Sequence, residues 1–368
     1  MTVGMQSFDM KVSVYQWSLP LSGSLPGCPD GERQGLLLWL EKDEGDGLGD
    51  CAPLPGFSQE TLTEAKDALV TCARLLAENP AMFKDISEHG LQNTIADSLM
   101  WPSSVIFAVE SAVDELDFTE SNSLYHPEPS VCRLLAGDNQ QVLSVAKSVE
   151  SETKLVKVKV SRQSVTDDIA LVEQLDSCLP DDVEIRLDGN RRWNLNQALE
   201  FSKAIPRNRI SFIEEPLAEV EQLPEYVSKG GLPVALDESL HTGNIWGTGC
   251  PGVFDGLAAL VVKPTLAGGV YRCRQLAEFA RMHKLELVIS SSYESNIGIG
   301  TLVRLAESVA PCTASGLDTL SVFQKRLVHG SQGPCSETAP LLLREQQEFY
   351  EKVVLREQLQ LIWSSYNP

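Results

Sequence analysis

The sequence predicts an α/β protein, a parallel (β/α) barrel preceded by a smaller N-terminal α+β domain, and three observations predict it. Short apolar runs end in a charged or polar residue, as in Val183 to Asp188, Phe212-Ile213-Glu214 and Val234 to Asp237. The terminal residues Lys159, Asp188, Glu214, Asp237, Lys263 and Ser290 fall 23 to 29 residues apart, the length of one strand, one helix and two loops. Most of the intervening stretches carry apolar residues at helical spacing. Polar residues confined to strand C-termini of repeated βα units mark a barrel with its site on the C-terminal face.

The N-terminal domain is expected over residues 1–128, the barrel over 129–320, and a C-terminal segment, 321–368, is expected to return to the cap. Residues 8–19 alternate as a strand and Gly35 to Glu41 form a second. The Gly/Pro-rich stretch from Leu21 to Gly31 between them suits a hairpin connection or a mobile lid. Ala52-Pro53-Leu54-Pro55-Gly56-Phe57 reads as a rigid turn, and Ser58 is placed to cap a helix from Gln59 to about Glu78, with Leu62, Ala65, Leu69, Cys72 and Leu76 on one face. A further helix follows Pro102. The domain boundary is expected in the polar stretch Thr119 to Pro129.

Strand one of the barrel is Val131 to Gly137 and strand two Leu155 to Val160. A period of two sets Lys157 and Lys159 on one face and Val156, Val158 and Val160 on the other. Valines suit the helix layer, so the lysines point into the barrel mouth. Strands three, four and five end at Asp188, Glu214 and Asp237, strand six ends at Lys263 before Pro264, and strand seven ends at Ser290. A polar loop, Ser291 to Asn296, follows, and Gly316 to Leu320 closes the barrel.

Composition narrows the function classes. With 368 residues, 43% of them hydrophobic, the chain can bury a large core. A formal charge of −21 argues against nucleic-acid or anionic-membrane partners, which need basic patches. Nine cysteines, scattered singly without metal-ligand spacing, suit a reducing compartment. No secretory leader pattern or membrane-spanning stretch is legible, so a cytoplasmic protein acting on a small molecule is expected.

Three carboxylates converging on one face need a compensating cation, so Asp188, Glu214 and Asp237 read as a divalent-metal site. Oxygen ligands without histidine or thiolate favour Mg²⁺. Three solvated acids at strand ends are the plainer alternative. Lys157 and Lys159 would lower each other's proton affinity, leaving one free to act as a base. Lys263, ending an apolar strand, either has a role or pairs with one of the acids. A metal gripping a substrate carboxylate and a base taking the adjacent proton together perform proton abstraction α to a carboxylate. Whether reprotonation, cyclisation or elimination follows stays open at this level.

This constellation resembles the enolase superfamily and its muconate-lactonising branch: Lys-x-Lys on strand two, acids ending strands three to five and Lys ending strand six. Ala52 to Thr61, Arg186 to Arg191, Val262 to Leu266, Ile289 to Ser295 and Gly316 to Leu320 are similar to motifs of the o-succinylbenzoate synthase family. The resemblance implies a (β/α)7β TIM-like barrel with an N-terminal α+β capping domain and Mg²⁺. It also implies syn dehydration of 2-succinyl-6-hydroxy-2,4-cyclohexadiene-1-carboxylate to o-succinylbenzoate, towards menaquinone or phylloquinone. Lys159 would then take the α-proton and return it to the departing hydroxide, and Lys263 would hold its charge against the ring. Arg186, Asn190, Ser290 and Gly316 would bind substrate, together with Lys157, which would tune Lys159. Gly49-Asp50 departs from the Gly-Glu expected in relatives, and the tail past Leu320 is long.

Racemisation of N-succinylamino acids, with Lys159 and Lys263 flanking the site, is the nearest rival. Dipeptide epimerisation lacks its Asp-x-Asp ending on the last strand. A Schiff-base lyase using Lys263 leaves the three acids unexplained, and a non-catalytic binding protein leaves the full set of ligands and lysines unexplained.

Overall fold

The computed structural model describes residues 10–23, 25, 27–42, 45–95, 100–120, 130–149, 152–240, 252–328 and 354–366. Of the polar stretch Thr119 to Pro129, expected to hold the domain boundary, residues 121–129 lie outside them, as do residues 24 and 26 of the Gly/Pro-rich stretch and most of the tail, 329–353.

The cap is an antiparallel sheet with helices on one face. Strands β1 (Lys11–Pro20), β2 (Glu32–Lys42) and β3 (Gly45–Cys51) pair in sequence, and β11 (Leu359–Ser364) pairs antiparallel with the other edge of β1. The run Leu36 to Leu40 is apolar without a break because both faces are covered. Leu36, Leu38 and Leu40 join the cluster under α1 (Leu62–Glu78) and α4 (Ser103–Glu120), while Leu37 and Trp39 join the cluster shared with the barrel. Two short helices, α2 (Met82–His89) and α3 (Leu91–Thr94), lie between.

Helix α1 starts three residues later than the sequence suggests. Thr61, not Ser58, is its N-cap, in a reciprocal capping box with Glu64. Ser58 instead accepts a hydrogen bond from the Leu54 amide and closes the proline-rich turn.

The second domain is a curled parallel sheet in the order β10-β9-β8-β7-β6-β5-β4. Its strands are β4 (Arg133–Leu135), β5 (Leu155–Lys159), β6 (Glu184–Asp188), β7 (Ile210–Glu214), β8 (Val234–Leu236), β9 (Leu257–Val262) and β10 (Glu286–Ile289). In place of the closing strand expected from Gly316 to Leu320 stand two single parallel bridges, one by Gly316 with Ser290 and one by the preceding Ser315 with Val131. These bridges join the sheet's two edges, so a barrel is closed by an eighth position two residues wide. Helices α5 (Asn139–Ala146), α6 (Val165–Cys178), α7 (Leu195–Ala204), α8 (Leu223–Ser228), α9 (Pro264–Ala267), α10 (Gly269–His283) and α11 (Asn296–Val309) complete the domain.

Strand alternation sorts this barrel into an outer and an inner set. Val156, Val158, Ile185, Leu187, Ile213, Leu236, Leu260, Val262 and Ile289 belong to the large outer cluster with the helices. Phe212, Ala235, Ala259, Val261 and Val288 form a separate inner cluster. Four of these stand two residues before Glu214, Asp237, Lys263 and Ser290. The period of two therefore places an apolar plug directly beneath the polar ring.

Candidate active site

Parallel register brings the ring together. Lys159 is paired with Asp188 across β5 and β6, and Asp188 with Glu214 across β6 and β7. Asp237 follows the end of β8, whose Ala235 is the register partner of Glu214. The acids are buried, between 1 and 3% exposed, so their charge must be met by protein groups or ions rather than by water.

Lysines meet it. The Lys157 ammonium donates to Glu214 and lies 3.1 Å from Asp188 Oδ2, and Lys263 Nζ donates to both oxygens of Asp237. Burial by itself would lower the proton affinity of Lys157, but Asp188, Glu214 and Asp237 outweigh it and hold the group well above the usual lysine range. Lys263 is likewise raised, burial being outweighed by Asp237 and Glu238. Mutual repulsion with Lys159 does not govern Lys157, contrary to the sequence expectation, because three carboxylates stand nearer in effect than one ammonium. Burial and the neighbouring charges of Asp188 and Asp237 push Glu214 up to about 7 against the pull of Lys157.

Lys159 is different. It lines the same cavity, yet among the described residues none forms a hydrogen bond or ion pair with its ammonium. The cavity spans about 950 Å³ including its open mouth, and Lys157, Lys159, Asp188, Asn190, Asp237, Lys263, Ser290 and Gly316 all line it. Asn190, at a φ of 44°, donates its side-chain amide to Glu238 Oε1 at 3.3 Å and its backbone N–H to Asp188 Oδ1 at 3.1 Å. Gly316 leaves space that a Cβ would fill at 2.8 Å from Ser290 Oγ.

Arg186 is not brought to this cavity. Its guanidinium donates to Ala314 O at 2.6 Å and Glu286 Oε2 at 3.2 Å and lies 4.8 Å from the Phe212 ring centre. Two residues before Asp188 on the inward face, it sits one layer deeper, at the level of the apolar plug.

The sequence reading did not single out Glu238, Tyr293, Asp318 and Thr319, which also line the cavity, nor Leu25, Leu54 and Phe57, which bring apolar surface from the cap. The acid pair in Asp237-Glu238 was the available signal for Glu238. The other pair, Glu214-Glu215, is divided by the fold. Glu214 faces inward, whereas Glu215 accepts the backbone N–H groups of Asp237 at 3.0 Å and Ser239 at 3.1 Å and so fixes the turn that presents Asp237.

Among the described residues no group of three or more His, Cys, Asp or Glu side chains already surrounds a point suited to a metal ion. The donor set itself fits a hard divalent cation: three buried carboxylates on neighbouring strand ends, all oxygen, only partly offset by two ammoniums. Glu238 adds a buried oxygen, Oε2, without a partner.

Residues 141–320 match the family described as enolase C-terminal domain-like, and residues 10–113 match the MenC N-terminal domain. The chain is 35% identical to the o-succinylbenzoate synthase of Yersinia enterocolitica over 359 residues, covering 96% of this chain and 99% of that one. Its fold is similar to that of the N-succinyl Arg/Lys racemase from Bacillus cereus, with a TM-score of 0.72 and 19% identity over 96% of this chain and 99% of that one. It is also similar to an enolase-superfamily member from Roseovarius nubinhibens complexed with magnesium, with a TM-score of 0.71 and 17% identity over 96% of this chain and 98% of that one.

Proposed function

The chain belongs to the o-succinylbenzoate synthase family of the enolase superfamily, and from that premise we propose how its polar ring performs the family's reaction. The reaction is the dehydration of 2-succinyl-6-hydroxy-2,4-cyclohexadiene-1-carboxylate to o-succinylbenzoate, a lyase step of menaquinone or phylloquinone synthesis. The observation that carries the assignment of roles is the division among three lysines: Lys157 and Lys263 are committed to carboxylates, and Lys159 is not.

Lys159, as the amine, takes the proton from the carbon bearing the substrate carboxylate. When the ring C–O bond breaks on the same face, Lys159 returns that proton to the leaving hydroxide, which departs as water. One base on one side of the ring suffices for a syn elimination. Asp188, Glu214 and Asp237 would hold Mg²⁺. When bound, the cation offsets the negative charge that develops on the substrate carboxylate. Lys263 keeps a fixed positive charge facing the ring, a cation–π arrangement, and Lys157 balances the acids while the proton moves. Asn190, Ser290 and Gly316 shape the pocket around the substrate. Arg186, one layer lower, supports the floor rather than touching the ligand. A cytoplasmic setting agrees with the seven cysteines among the described residues, all of them free.

The test is the ultraviolet absorbance of the cyclohexadiene substrate. Metal-dependent loss of the diene band by the wild type, absent in Lys159→Ala, supports the reading. Racemisation of N-succinylamino acids with no loss of that band would transfer the site to the rival reaction, which Lys159 and Lys263 in one cavity could also serve.

A further inference from the structure

The polar loop Ser291 to Ser295 contributes Ser291, Ser292 and Tyr293 to the cavity, yet part of what holds it belongs to the cap. Arg33, on β2, is 1% exposed and spends its donors on backbone carbonyls: Nη2 to Ala52 O at 2.7 Å, Nη1 to Pro53 O at 2.8 Å and Nε to Tyr293 O at 3.2 Å. Asp50, on β3, is fully buried. Its Oδ2 accepts both the N–H and the hydroxyl of Ser295 at 2.8 Å, and its Oδ1 accepts Trp17 Nε1–H at 2.9 Å. Two charged cap residues thus grip the loop two positions apart, at Tyr293 and at Ser295.

The grip bears on the loop's conformation. Tyr293 has a φ of 60°, a left-handed conformation costly for a tyrosine unless its surroundings impose it. Between the two held positions, Glu294 is fully buried and accepts from Thr265 Oγ1 at 2.6 Å, Ser291 Oγ at 2.7 Å and the Ser292 N–H at 2.7 Å. Ser295 is also the N-cap of α11, and a Cβ on Gly298 in its first turn would stand 2.6 Å from Asp50 Oδ2. The short aspartate side chain and that glycine are matched. The same Arg33 fork holds Ala52 and Pro53, which lead into Leu54 and Phe57, cap residues that also line the cavity.

We propose that Arg33 and Asp50 are positioning residues that set the shape of the substrate cavity from the cap side, by fixing the loop through Tyr293 and Ser295 and, through Arg33, the proline-rich turn. Neither residue reaches the ring of lysines and acids, so they act on substrate binding and not on proton transfer. This inference rests on the dehydration reading given above.

The experiment compares wild type with Arg33→Lys and Asp50→Asn at saturating Mg²⁺, measuring kcat and KM by diene loss and the Kd of o-succinylbenzoate by calorimetry. Arg33→Lys keeps the charge and loses the fork; Asp50→Asn keeps the shape and sets an amide against a donor. KM and Kd are expected to rise together about 5- to 10-fold with kcat within about 2-fold, the pattern of lost binding common to ground and transition states. Unchanged KM and Kd in folded variants, or a fall in kcat alone, would overturn the proposal. Should neither variant fold, Ser295→Ala, which removes one hydroxyl from Asp50, decides by the same criterion with an expected rise of about 3-fold. A wild type that neither consumes the diene nor binds the product sinks the dehydration reading and this inference with it. An active wild type whose variants keep its KM and Kd sinks this inference alone.

Discussion

Lys159 and Asp188 are register partners on adjacent parallel strands, with the first uncommitted and the second buried beside another lysine. The proposed base and one proposed metal ligand are thus set side by side by the backbone ladder, without a side-chain network to align them. Replacing Lys159 by alanine is therefore expected to cost about 10³-fold or more in kcat while leaving the Kd of o-succinylbenzoate near the wild-type value. Residual turnover within tenfold of wild type would remove Lys159 from the role of base.

The three acids are expected to make activity strictly dependent on a divalent cation. Chelation should abolish diene consumption and Mg²⁺ should restore it. Asp237→Asn should raise the Mg²⁺ concentration for half-activation by about tenfold or more, since it removes one proposed charged ligand and frees Lys263 from its partner. Activation curves of the two proteins settle the point.

Cap and barrel are also joined by Glu110 of α4, which is 5% exposed and accepts the backbone N–H of Tyr271 at 2.8 Å and of Leu91 at 2.9 Å. Burial pushes its carboxyl up to about 7 from an ordinary 4.5, with these two donors pulling the other way. The folded chain thus binds more protons at this site than the unfolded chain between those values. Its contribution to stability falls as pH rises from about 4.5 to about 7, by on the order of 3 kcal/mol in all. Denaturant titrations at several pH values should give a flatter profile for Glu110→Gln across that window, although the variant loses one acceptor and is less stable at low pH.

Gly316→Ala tests the width of the cavity. The added Cβ would lie 2.8 Å from Ser290 Oγ, closer than packed carbon and oxygen tolerate, so Ser290 must shift at the mouth of the site. KM should rise about 5-fold or more while the melting temperature changes little, because Gly316 sits at an open wall rather than in the core. An unchanged KM would show that substrate stands clear of this wall.

Most of the barrel was legible because two periods coincide. A spacing of two along each strand and of 23 to 29 residues between strand ends both point at the same residues, Lys159, Asp188, Glu214, Asp237, Lys263 and Ser290. What stayed illegible was set by partners distant in sequence. Nothing local to Arg186 says that its guanidinium reaches Ala314 and Glu286, 128 and 100 positions away, instead of the cavity above it. Lys157 differs from its sequence expectation for the same reason: its neighbour Lys159 is visible in the sequence, whereas Glu214 is not visibly beside it. Ser58 and Thr61 are both competent caps, and only the capping box with Glu64 selects the second. The departure at Asp50 acquires a physical account from Ser295 and Gly298, which its shorter side chain fits.

The pairing of β11 with β1 has a consequence for biosynthesis. Leu359–Ser364 are translated after every described barrel strand, yet they supply the outer neighbour of β1, the first strand among the described residues. While the ribosome is still adding the barrel, one edge of β1 is exposed as a row of unpaired amides and carbonyls, a template for association with other nascent chains. A chain stopped short of Leu359 would keep that edge open for its lifetime, so termination before β11 should show as insolubility rather than as a defect in chemistry.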